Sequence, residues 1–453
     1  MLVTIISAVS GVMSRVAAQQ FPSDSAIAAI LARRAEGWKG PGIVVGLVEN
    51  GNQRFVAYGQ RAAGGAPLDR NTVFEIGSIT KPFTGVLLAE MVQRGEVRLD
   101  SPISDLLPPG VKAPERSGKP ITLLDLATHT SGLPRLPANI NPDNPANPAN
   151  PYAAYTAELM YAALAQMELA RDPGARYEYS NYGAGLLGSL LARRAGGGYE
   201  EVLTGRVLGP LGLRETVIRL PEAMKARLAP GHAGTSGTTP TSGWDFDALA
   251  GAGALRATAA DLLRFVELNL EPPASPIGRA LEAAAQPRRP TGTGMEIGLG
   301  WHMLPRSGRT IVWHNGGTGG YHSFAGFDRS RKMGVVVLTN TTDEIDDIGV
   351  HLLDPTFPLR VVRTEIALDS AALARFVGEY RLAPTFAIVV TLENGALWAQ
   401  ATNQPKFPIF AEAPAKFFYK VVDAQLVFSE GNGRITGLVL HQGGQQIPGE
   451  RVK

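Results

Sequence analysis

Ser78-Ile79-Thr80-Lys81 sets a hydroxyl and an amine three residues apart. On a helix that spacing stacks both side chains on one face, one turn apart, so the amine can take the hydroxyl proton and make the oxygen nucleophilic without a histidine. Two other stretches carry groups that could complete such chemistry. Tyr179-Ser180-Asn181 offers a phenol whose pKa a neighbouring cation lowers, and an amide able to hold both a lysine and a substrate carbonyl. Trp313-His314-Asn315-Gly316-Gly317 offers a strand that breaks into glycines, leaving a backbone edge and its N–H donors open to a substrate. Each is weak alone. A chain of this length holds about one S-x-x-K by chance. H-x-G recurs at His232, His314 and His441, and only His314 stands where a strand ends in glycines with a second strand following.

The elements that must position these groups are legible around them. Apolar residues at Phe83, Val86, Leu87, Met91 and Val92 predict a helix from near Ser78 to Arg94, with Pro82 tolerated in its first turn and Gly95 as its stop. A serine at a helix N-terminus lies among unpaired N–H groups in a positive local field, which suits a developing oxyanion. Ser23 to Trp38 reads as an amphipathic helix. A hairpin follows, Gly42–Glu49 and Arg54–Tyr58 about an Asn50-Gly51 turn. Strands at Thr310–His314, Tyr321–Phe327 and Gly334–Thr339 lie far downstream, so an antiparallel sheet must be assembled from both ends of the region. Helices are expected at Tyr155–Leu169, Gly183–Ala195 and Ala260–Leu268, the last capped by Thr258. Residues 136–152, broken by Asn-Pro repeats, predict an extended loop with little packing.

Composition narrows the chemistry. The 453 residues carry a formal net charge of +2 with 44% hydrophobic and 19% charged residues, and their lysines and arginines are spread out, so nothing argues for nucleic acid. No GxxxxGK[ST] loop, G-x-S-x-G elbow or H-E-x-x-H pair is present. Cysteine is absent, which excludes a thiol nucleophile, a thiolate metal site and any disulfide. No cofactor and no metal are expected. Residues 1–20 form a candidate export signal, apolar from Leu2 to Met13 with small residues at Val16-Ala17-Ala18, which predicts a periplasmic or secreted protein, or a cytoplasmic one if it is not used. No other segment is long enough to span a membrane. Past Asp354-Pro355-Thr356-Phe357-Pro358 the pattern changes to short strands with Asn394-Gly395 and Gly431-Asn432-Gly433 turns. The expected domains are therefore 21–360 and a β-rich 361–453, a small barrel or meander.

Taken together and in order, the three motifs resemble those of the penicillin-recognising serine hydrolases: class C β-lactamases, D-aminopeptidases and carboxypeptidases, and family VIII carboxylesterases. The likeness covers roughly residues 22–350. It extends to Phe74-Glu75-Ile76-Gly77, to Leu126-Ala127-Thr128-His129-Thr130-Ser131-Gly132-Leu133-Pro134, to Gly251-Ala252-Gly253-Ala254-Leu255 and to Gly298-Leu299-Gly300-Trp301. It implies an α+β, β-lactamase/transpeptidase-like fold, an antiparallel sheet flanked by helices with a helical subdomain. It also implies Ser78 as acyl-accepting nucleophile, Lys81 as its proton partner and Tyr179 as proton relay. Asn181 and the His314-to-Gly316 strand would orient the substrate, and the N–H groups of Ser78 and Gly317 would form the oxyanion hole.

One departure matters. β-Lactamases of the superfamily usually have Lys-Thr-Gly where this chain has His314-Asn315-Gly316. An unperturbed histidine is mostly neutral at pH 7. Loss of a charge-assisted hydrogen bond, worth about 1.5–3 kcal/mol, would weaken recognition of a β-lactam carboxylate about ten- to a hundredfold. The expected function is ester or amide hydrolysis through an acyl-serine, with small acyl esters as substrates and β-lactams turned over slowly. The alternatives are a D-amino-acid-specific peptidase and a penicillin-binding sensor that acylates without turnover. At its ordinary pKa Lys81 would be almost wholly charged, so either burial lowers that pKa or Tyr179 is the working base.

Overall fold

The computed structural model describes residues 20–140, 150–233, 239–306, 308–363, 365–442 and 445–452. The candidate export signal lies outside them except for Gln20, as does the centre of the Asn-Pro stretch, 141–149. The chain divides into two compact units, Met1–Arg360 and Val361–Lys453.

The first unit is built on an eight-stranded antiparallel sheet. Its strands are β1 (Ile43–Glu49), β2 (Asn52–Tyr58), β3 (Arg289–Pro290), β4 (Glu296–Ile297), β5 (His302–Arg306), β6 (Arg309–Gly317), β7 (His322–Asp328) and β8 (Met333–Thr339), in the order β3-β4-β5-β6-β7-β8-β1-β2. β1 turns into β2 at Asn50-Gly51, whose φ angles of 49° and 79° are those a two-residue hairpin demands. Its other edge pairs with β8, Ile43 opposite Thr339. Helices cover both faces, which is why β1 and β8 are apolar at nearly every position instead of alternating. Val44, Val48, Val336 and Leu338 face the core that includes helix α5 (Ala259–Leu270), while Ile43, Val45, Leu47, Val335 and Val337 face α1 (Asp24–Arg34) and α6 (Asp346–Leu353).

Helix α2 (Thr80–Gln93) runs through the centre, buried at every residue from Thr80 to Met91, so its sequence is apolar around nearly the whole circumference. Phe83 stacks on Phe265 of α5 at 3.8 Å, and truncating such a ring costs about 3–5 kcal/mol. Beside α2 stand α3 (Asn181–Ala195), capped by Ser180 and stopped by left-handed Gly196, and the short α4 (Ala250–Gly253).

Three local expectations are corrected. The helix expected from near Ser78 begins at Thr80, and Ser78 itself stands in a single 3-10 turn, Gly77–Ile79, that leads into it. The end of the Asn-Pro stretch is not loosely packed, because Asn150 and Tyr152 are buried, Tyr152 stacking on Phe246 at 4.4 Å. The helices at Pro276–Ala284 and α6 were not anticipated; both are short amphipathic segments flanked by turn-rich sequence.

The second unit is a closed eight-stranded antiparallel barrel, from Gly378–Ala383 through Gln445–Arg451, whose first strand pairs with its last at Tyr380–Arg451. Closure leaves no free edge. Its interior is filled by Phe376, Tyr380, Phe417, Leu426 and Phe428.

Candidate active site

Strand Val73–Glu75 pairs with Arg256–Thr258 and leads into the turn that carries Ser78. Gly77 has φ +49°, and a Cβ there would lie 2.9 Å from the amide nitrogen of Gly317. Gly316 is tighter still: a Cβ would come within 2.1 Å of the Ile76 carbonyl oxygen. Glycine at both positions therefore lets the end of β6 lie directly against the nucleophile-bearing turn. Ser323 Oγ ties the two by donating to the Ile76 carbonyl at 2.9 Å. Ser78 is partly accessible and Gly317 is exposed, so the N–H edges of the turn and the strand border the same opening.

Lys81 Nζ lies 2.9 Å from Ser78 Oγ and donates to Asn181 Oδ1 and to the Ala252 carbonyl, both at 2.8 Å. Burial, assisted by the nearby positive charge of Arg135, holds the Lys81 pKa well below its usual value. A neutral amine has two N–H groups and one lone pair. The two carbonyl oxygens can only accept, so they consume both N–H groups and leave the lone pair directed at the Ser78 hydroxyl. An ammonium would also satisfy all three oxygens, but burial and the Arg135 charge both disfavour it.

Tyr179 stands beside Ser78, and burial, outweighing the influence of Ser78, raises its pKa above the ordinary phenol value, so the phenol is protonated. Lys81 Nζ sits 4.7 Å from its ring centre. The backbone around Tyr179 is held by the preceding Thr128–Arg135 segment. His129 Nδ1 accepts from the Ser180 amide at 3.1 Å, the Pro134 carbonyl from Ser180 Oγ at 2.6 Å, and the Arg135 carbonyl from the amides of Asn181 and Tyr182 at 3.0 and 3.2 Å. Asn181 opens α3 and donates from Nδ2 to Tyr152 Oη at 3.3 Å.

His314 is fully buried. It packs 5.0 Å from the His302 ring and 6.3 Å from the Tyr179 ring, so it backs the tyrosine rather than lining open solvent. Burial lowers the pKa of His129, His302 and His314, that of His302 to about 4, so the trio is neutral. Asn315, one residue on, points to the opposite face of the sheet by strand alternation and donates to Asp346 of α6, anchoring β6 from behind. The structure thus gathers Ser78, Lys81, Tyr179 and Asn181 beside Gly316 and Gly317, with His314 one layer deeper. A cavity of about 840 Å³ lined by Tyr199, Glu200, Phe246 and Arg256 includes none of these residues.

Sequence reasoning missed the Ala252 carbonyl, Tyr152, His302 and Arg135. A backbone oxygen has no identity in a sequence, and the other three carry no motif. In the sequence the Leu126–Pro134 stretch shows only a likeness; its work of holding Tyr179 and Asn181 is visible in space alone.

Residues 27–351 match the beta-lactamase family and residues 362–451 match a domain of unknown function, DUF3471. The chain belongs to the beta-lactamase family and is a serine hydrolase of the β-lactamase and D-alanine carboxypeptidase type. It is 28% identical over 331 residues to the D-alanyl-D-alanine-carboxypeptidase/endopeptidase AmpH of Escherichia coli strain K12, covering 68% of this chain and 83% of that one. It is 29% identical over 339 residues to a beta-lactamase of Yersinia enterocolitica, covering 66% and 82%. An octameric penicillin-binding protein homologue from Pyrococcus abyssi has the same fold, with a TM-score of 0.69 at 22% identity, over 94% of this chain and 99% of that one. Among the described residues no helix is long and apolar enough to cross a membrane.

Proposed function

We propose that the protein hydrolyses esters and amides through an acyl-Ser78 intermediate, with small acyl esters readily cleaved and β-lactams turned over slowly. The observation that carries this reading is the placement of Lys81 Nζ 2.9 Å from Ser78 Oγ, with Asn181 Oδ1 and the Ala252 carbonyl each at 2.8 Å able to take both N–H groups of a neutral amine. As Ser78 Oγ bonds to the substrate carbonyl carbon, its proton passes to Lys81. The oxyanion takes N–H donors from Ser78 and Gly317. Collapse breaks the bond to the leaving group, which takes a proton from Tyr179, and Lys81 returns one to the phenolate. Water then attacks the acyl-serine, losing its proton to the same pair, and Ser78 leaves as the alcohol. Uncharged esters need only this machinery. A β-lactam carboxylate loses the lysine that other members supply at His314, whose burial keeps it neutral.

A D-amino-acid peptidase is the second reading, favoured by the likeness to AmpH. Wild type and Ser78→Ala are compared on p-nitrophenyl butyrate, a D-alanyl-D-alanine peptide and nitrocefin, with intact-mass analysis for an adduct. Wild-type rates in the Ser78→Ala protein would end the acyl-serine reading. Negligible ester cleavage beside rapid peptide cleavage would reverse the order of substrates, and a stable penicillin adduct without product would make the protein a sensor.

A further inference from the structure

Arg135 stands beside Tyr179 and, apart from its charge acting on Lys81, takes part in no step of the chemistry above. Its side chain is exposed, yet its backbone is among the most firmly held in the cleft, since its carbonyl accepts from the first two amides of α3. The guanidinium carbon lies 5.2 Å from the ring centre of Tyr179, a cation–π placement. Among the described residues no carboxylate or carbonyl accepts from it. Its field is felt at Lys81, His129, Tyr152 and Tyr179. The closest acid before Ser78 in sequence, Glu75, is already engaged by Arg256 at 3.1 Å and by the Trp244 amide. The three buried histidines supply no positive charge.

A fork of five donors, exposed beside Tyr179 and, among the described residues, left without an anion, is a receptor for one. We propose that Arg135 is the carboxylate-binding residue of this cleft, and that the preferred substrates are esters or amides bearing a carboxylate near the scissile bond. This rests on the acyl-Ser78 reading. A guanidinium beside Tyr179 reaches a carboxylate from a different place than position 314, so it selects anionic esters and amides without restoring the contact at position 314 that a β-lactam carboxylate lacks here.

Two matched ester pairs test it: phenyl hexanoate against monophenyl adipate, with the carboxylate on the acyl side, and phenyl acetate against 3-acetoxybenzoate, with it on the leaving group. Arg135→Ala is expected to lower kcat/KM for at least one carboxylated ester about ten- to a hundredfold more than for its neutral partner, the range a charge-assisted hydrogen bond is worth. The pair that responds tells which side of the scissile bond the anion occupies. Arg135→Lys is expected to recover part of the loss, and the salt dependence of the wild-type rate on the anionic ester is expected to flatten in Arg135→Ala. Equal losses on charged and neutral esters would overturn the proposal, since Arg135 would then act only through Lys81 or the fold; so would no loss on any. Calorimetric titration with 3-hydroxybenzoate needs no turnover: binding at least tenfold weaker to Arg135→Ala supports the proposal, while equal or absent binding in both proteins overturns it. Retention of hydrolysis by Ser78→Ala would instead strike at the acyl-serine reading.

Discussion

Replacing Lys81 by methionine keeps the length of the side chain and removes the amine. Two buried acceptors, Asn181 Oδ1 and the Ala252 carbonyl, then lose their donor. Each unsatisfied group costs about 1–3 kcal/mol, against which counts the relief of burying an amine, so the variant should melt lower yet remain folded. The catalytic loss is larger. A positioned proton acceptor contributes about 10²- to 10⁴-fold, and kcat/KM on p-nitrophenyl butyrate should fall by that range. Because burial lowers the pKa of Lys81, the wild-type kcat/KM should rise from the acid side with an apparent pKa well below the ordinary ammonium value. Asn181→Asp is the converse perturbation. It sets a carboxylate 2.8 Å from Nζ without changing shape, favours the ammonium, and should move that acid limb upward by about one to three pH units. Stopped-flow or steady-state rates between pH 5 and 10 read both effects. A wild-type limb near pH 10, or a Lys81→Met enzyme within threefold of wild type, would refute the proton inventory.

Gly316→Ala places a Cβ 2.1 Å from the Ile76 carbonyl oxygen, so β6 must withdraw from the Ser78 turn; kcat should drop about a hundredfold while circular dichroism stays native. His302, whose folded pKa lies at about 4 against an ordinary 6.5, binds fewer protons folded than unfolded between those values. Stability should therefore decline as pH falls from about 6.5 to 4, by about 3 kcal/mol from this group, and urea titrations of His302→Gln should show a shallower decline. An unchanged slope would assign the acid sensitivity elsewhere.

The parts of the site that sequence could reveal are those governed by local rules. The spacing of Ser78 and Lys81 carries its own geometry, and Asn50-Gly51 carries its turn. The α+β architecture was legible because apolar runs at Ile43–Val48 and Val335–Leu338 are strands whose partners must be each other or something equally apolar. What was not legible depends on contacts between distant segments. Gly77 has a positive φ where β6, more than two hundred residues away, lies against the turn, a contact no local propensity announces. Tyr152 and Asn150 sit beside proline repeats that mark an irregular backbone, but irregular backbone can still be buried, and only the Phe246 ring reveals that it is. His302 reached the neighbourhood of Tyr179 through strand pairing with Trp313, a register no local pattern announces.

The pairing of β1 with β8 also governs how the chain comes into being. A nascent polypeptide presents the apolar stretch Ile43–Val48 almost three hundred residues before Met333–Thr339 exists to cover its outer edge. Until then the β1–β2 hairpin is an open template for any other strand. Such nonlocal closure slows folding and lengthens exposure to self-association. Expression that stalls before residue 339 should yield insoluble fragments, and slower synthesis or a holding chaperone should raise the yield of full-length protein.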